Sequence, residues 1–134
     1  MWATAPATFL PPAEAATQIP ARRVIDVRPA RQFSGEKPSR GAKRAGRLPG
    51  AFSFPLNDAF VGHHPPLLVD RERLRERLAA GGIRPDTAVL VYDGFGTHAA
   101  LARVILRDLG FADVRAIAGG FAAWDAAGLP IETP

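Results

Sequence analysis

Three short runs constrain this 134-residue chain more than any other feature: RVIDV (23–27), TAVLVY (87–92) and DVRAI (113–117). TAVLVY is apolar at every position after Thr87, with no polar alternation. A strand of that kind is covered on both faces and belongs at the centre of a sheet. The stretches between the runs have helical spacing instead. HAALARVILRDL (98–109) sets Leu101, Val104, Ile105 and Leu109 at helical intervals, and Gly110 stops it. RERLRERLAA sets Leu74 and Leu78 on one face, with Asp70 as its N-cap and Gly81–Gly82 as its stop. Strand-like and helix-like segments alternate, which predicts an α/β fold with a mostly parallel sheet.

The weaker segments fit this scheme. ATFL (7–10) reads as a short first strand, Pro11 and Pro12 open a helix, and AFSF (51–54) is another short strand. Gly119 and Gly120 lead into a short helix, FAAWDAAG, whose Trp124 is expected to pack in the core. Residues 34–46 hold four Gly or Pro and no large apolar side chain, so they read as an exposed loop. Residues 57–66 read as a second loop. No repeat is visible, and the length suits one domain, 1–134, around one core.

Composition excludes several chemistries. There is no cysteine, which removes disulfides, thiolate metal sites and persulfide chemistry. No run of about 18 apolar residues is present to span a membrane. The N-terminus MWATAPATFLPPAEAA has no basic residue ahead of its apolar part, so no leader is expected and the location is read as cytoplasmic. Residues 22–47 carry nine Lys and Arg against Asp26 and Glu36, a local excess in a chain of net charge +4. That excess suits a small anionic molecule or an acidic protein partner. No aromatic side chain interleaves the charges from Lys37 to Arg47, which argues against nucleic acid. His63 and His64 lack further ligands at metal-binding spacing, so no metal is expected, and no cofactor is implied.

The candidate site lies where the central strand ends, in VYDGFGTH (91–98). Asp93 stands at the strand's end, Gly94, Phe95, Gly96 and Thr97 make a tight turn, and His98 opens the next helix. Parallel sheets bind ligands along that edge. Arg28, at the end of RVIDV, opens on the same edge, and with Arg47 it is a candidate for holding an anion beside Asp93. Asp26 reads as its structural ion-pair partner. Tyr92 should point away from Asp93 by strand alternation.

These segments together resemble the rhodanese family. VIDVR (24–28), GRLPGA (46–51), VLVYD (89–93), LRDLGF (106–111) and GGFAAWDAAGLPIE (119–132) occur in the family's order over nearly the whole chain. RQFSGE (31–36), followed by a basic loop, resembles the two-domain sulfurtransferases in particular. The resemblance implies a three-layer α/β fold: a five-stranded, mostly parallel sheet with helices on both faces. It also implies a loop after the central strand whose backbone N–H groups cradle a catalytic Cys. Here Asp93 holds the Cys position, Gly96 matches the loop glycine, His98 falls where Arg is common and Ala99 where Ser is common. In related folds the loop carrying His63 often lines the pocket mouth.

Two readings of Asp93 follow. In the first, catalysis has been lost: non-catalytic halves of two-domain sulfurtransferases resemble this VYDG, and the carboxylate acts as the cradle's internal anion. The domain then binds a ligand or a partner. In the second, the pocket is repurposed, and Asp93 with His98 serves as acid/base or nucleophile in a dehydration, cyclisation or hydrolysis. Persulfide transfer is excluded under both.

Overall fold

The computed structural model describes residues 8–61 and 67–133. Five strands form one all-parallel sheet in the order β1 (Phe9–Leu10), β7 (Val114–Ile117), β6 (Val89–Tyr92), β2 (Arg23–Asp26) and β3 (Phe52–Ser53). TAVLVY is thus the middle strand, as its unbroken apolar run requires. Strand alternation divides its side chains between two cores. Val89 and Val91 pack with Leu74, Leu78, Ile105 and Leu106 of helices α3 (Arg71–Ala80) and α4 (Thr97–Asp108). Leu90 and Tyr92 pack on the other face with Ala15 of α1 (Pro12–Ala16) and with Phe121 and Trp124 of α5 (Gly120–Ala126). Burying each such side chain contributes roughly 1.5–3 kcal/mol before entropy is counted.

Several short elements were not expected. ARQF forms a one-turn helix, α2 (Ala30–Phe33). In and beside the 57–66 loop, Leu56–Ala59 is a 3-10 turn and β4 (Phe60–Val61) pairs antiparallel with β5 (Leu67–Leu68). Four residues or fewer carry no readable period. In α4 the expected face is rotated: Ala102, Ile105, Leu106 and Leu109 are buried, whereas Leu101 is 44% and Val104 60% exposed.

The topology fixes the site. The connection from β2 leads outward to β3, and that from β6 leads the other way to β7, although β2 and β6 are neighbours. Their C-terminal ends form the crevice of a topological switch point.

Candidate functional site

Asp93 follows β6 directly, and its chain then turns through Gly96 (φ 102°) into α4. The Asp93 carboxylate bends back over this turn. One oxygen accepts the N–H of Gly96, and the other accepts the N–H of His98 at 2.6 Å. The side chain of a residue outside the helix thereby caps α4, whose own N-cap position, Gly96, has no side chain to do so. Asp93 is only 3% exposed. It lies at the N-terminal end of a twelve-residue helix, where the unpaired backbone N–H groups point toward it.

A second helix fixes the loop from the opposite side. Phe121 N–H donates to the Asp93 carbonyl at 2.8 Å, and Ala122 N–H to the Gly94 carbonyl at 3.0 Å. Gly120 makes this approach possible: a Cβ there would lie 2.6 Å from the Asp93 carbonyl oxygen. The basic loop closes a third side. A Cβ at Gly41 would crowd the Phe95 ring at 3.0 Å, and its φ of 80° favours glycine there as well. Asp125 of α5 anchors the same loop, accepting the Lys43 N–H at 2.6 Å and Arg44 Nε at 2.5 Å. Residues 34–46 form no helix or strand and are largely exposed, as expected of a loop, and these contacts pin them in place.

Beneath the site lies a buried polar network. Arg28 is 2% exposed, and its Nη2 meets Asp26 Oδ2 at 2.7 Å and the Gly46 carbonyl at 2.7 Å. Tyr92 Oη donates to Asp26 Oδ2 at 2.5 Å and accepts the Leu48 N–H at 3.2 Å. The Arg28 guanidinium also stacks 4.3 Å from the centre of the Phe121 ring. Burial opposes its charge, but the hydrogen bonds and charge of Asp26 outweigh burial and raise its pKa above the usual value. Burial, reinforced by Asp26, pushes the Tyr92 phenol well above its usual range. Arg28 Nη1 alone has no partner among the described residues.

Above these layers opens a cavity of about 440 Å³. Arg28, Asp93, Gly94, Phe95, Thr97 and His98 line it. Of the other candidates, Gly96 contributes its N–H to Asp93, and Arg47 stands outside the lining with its guanidinium 4.6 Å over the Phe33 ring. His63 lies outside the described residues. His98 meets Asp93 through its backbone N–H. As alternation requires, Tyr92 belongs to the network and not to the cavity. Sequence reasoning missed Gln32, Ser39, Arg40 and Asn57, which also line it. RQFSGE, the basic loop and the loop carrying His63 pointed to that wall through the resemblance, without marking these side chains as lining it. Among the described residues no group of three or more His, Asp or Glu is arranged to hold a metal ion, and no helix is long and apolar enough to cross a membrane.

Comparison with known proteins follows the geometry. The family model of the rhodanese-like domain matches residues 11–127. A probable 3-mercaptopyruvate sulfurtransferase of Pseudomonas aeruginosa is 39% identical over 120 residues, 81% of this chain and 40% of that protein. A putative thiosulfate sulfurtransferase, SseB, of Mycobacterium tuberculosis is 34% identical over 90% of this chain and 45% of its own length. The chain thus spans less than half the length of these relatives. Among solved structures, a probable thiosulfate sulfurtransferase superposes with a TM-score of 0.73 at 32% identity, covering 93% of this chain and 47% of that one. EanB in complex with hercynine superposes with a TM-score of 0.81 at 22% identity, covering 94% of this chain and 31% of that one, which is a likeness of fold. With the sheet order, the glycine-tight loop and the family model in agreement, this chain belongs to the rhodanese-like domain family, as a member without cysteine.

Proposed function

We propose that this chain is a non-catalytic rhodanese-like domain, a binding module built on a former sulfurtransferase pocket. One observation carries the reading: both oxygens of Asp93 accept backbone N–H groups of the loop that holds a nucleophile in active relatives. The cradle is filled from within. A carboxylate that is 3% exposed and bonded at both oxygens is poorly placed to attack an electrophile or relay protons. The cavity beside it nevertheless remains open, so a ligand or a partner side chain has somewhere to bind.

Two measurements test this. Pure protein given thiosulfate and cyanide should form no thiocyanate. Small molecules that raise its melting temperature should be recovered chemically unchanged after prolonged incubation. Conversion of such a molecule into product, lost in both Asp93→Asn and His98→Ala while each stays folded, would favour the repurposed enzyme. The open cavity with His98 on its wall is what keeps that second reading worth testing.

A further inference from the structure

Resting on the reading as a binding module, we propose that the cavity takes a small zwitterion, such as a free amino acid with an apolar side chain. The argument is a charge balance over the lining. Its titratable side chains are Arg28, Arg40, Asp93 and His98. The charge of Arg28 is cancelled by Asp26 at 2.7 Å. Arg40 is exposed, and among the described residues no carboxylate lies within ion-pair distance of it. Among the described residues Asp93 is the lining's only carboxylate.

Hydrogen bonds do not remove the charge of Asp93. The two N–H groups use two of about four acceptor sites on the carboxylate, and the helix terminus offsets roughly half a unit charge. The cavity therefore has a negative end at the sheet edge and a positive end on the basic arm. A simple anion gains at Arg40 and is repelled by Asp93; a simple cation meets the reverse. A molecule carrying both signs is attracted at both ends. Val27, Leu56 and Phe95 supply apolar walls for its body.

Calorimetry with three probes tests this: leucine, N-acetylleucine, which is an anion, and leucinamide, which is a cation near neutral pH. Leucine should bind wild-type protein about tenfold more tightly than either blocked form, a difference of about 1.4 kcal/mol. Arg40→Gln, a change at an exposed side chain, should erase the preference for leucine over leucinamide. Asp93→Asn, where it folds, should erase the preference over N-acetylleucine. Equal binding of N-acetylleucine and leucine to wild type would overturn the proposal in favour of an anion pocket. So would binding of none of the three at concentrations up to about 10 mM. Neither result touches the binding-module reading, which fails only if a bound molecule is turned over.

Discussion

Asp93 shows how one side chain can hold a whole loop through its backbone N–H groups. A cradle of backbone N–H groups at a helix N-terminus requires an anion, and here the chain supplies its own. The cradle should therefore still stabilise an anion of a different kind. In Asp93→Cys the thiol should titrate below its ordinary value of about 8.5, read from the pH dependence of thiolate absorbance. A thiol titrating at or above that value would show that the N–H groups do not converge. The residue beneath makes a separate prediction. Tyr92→Phe removes the donor to Asp26 and strands the buried Leu48 N–H. It should cost about 1–3 kcal/mol in denaturant unfolding. At this scale much was legible. The DVR motif at the strand's end gave away the Asp26–Arg28 pair. How deeply Arg28 is enclosed around this pair was not legible, since Gly46, Tyr92 and Phe121 reach it from distant parts of the chain.

Elements with a strong period were readable and the others were not. The central strand, α3 and the extent of α4 follow from apolar spacing. The orientation of α4 does not, because Ala99 and Ala102 face the sheet where bulkier residues were expected to do so. The basic arm was read correctly as an exposed loop, but its anchoring was not legible, because it comes from distant acceptors, Asp125 and the Leu129 carbonyl, and not from its own composition. Burial opposes ionisation of Asp125, but hydrogen bonds from the Arg44 side chain and from the Lys43 and Arg44 N–H groups outweigh it and lower its pKa. A carboxylate with a depressed folded pKa stabilises the fold above its unfolded value, about 3.9, and loses that contribution as pH falls through the folded value. Asp125→Asn should thus cost about 1–2 kcal/mol near neutral pH, discounted for the partly exposed Arg44. The gap between wild type and variant should stay constant down to about pH 4 and close below it. A gap that persists in acid would mean the anchor is not electrostatic.

For the whole molecule the question is what a sequence pI near 10.6 implies about partners. The nine cations between Arg22 and Arg47 look like an adhesive patch when read along the chain. Folding disperses them. Arg22 pairs with Asp113, Arg23 donates to the Gly81 carbonyl, Arg28 pairs with Asp26, Arg31 with Glu36 and Arg44 with Asp125. Arg47 stacks on Phe33. Of the five without a carboxylate partner among the described residues, Arg23 and Arg47 are half-buried and only Lys37, Arg40 and Lys43 are exposed. A polyanion binds through released counterions, and the number of free cations on one surface sets the salt dependence. Three such cations make a shallow slope, so retention on immobilised heparin should vanish near physiological ionic strength, about 0.15 M, where exposed charges are screened beyond about 8 Å. Retention well above that salt, abolished by charge reversal at Lys37, Arg40 and Lys43, would mean that this arm is a polyanion surface after all. Early elution leaves these cations to a single small ligand or to a discrete acidic contact, and of the three only Arg40 lines the cavity beside Asp93.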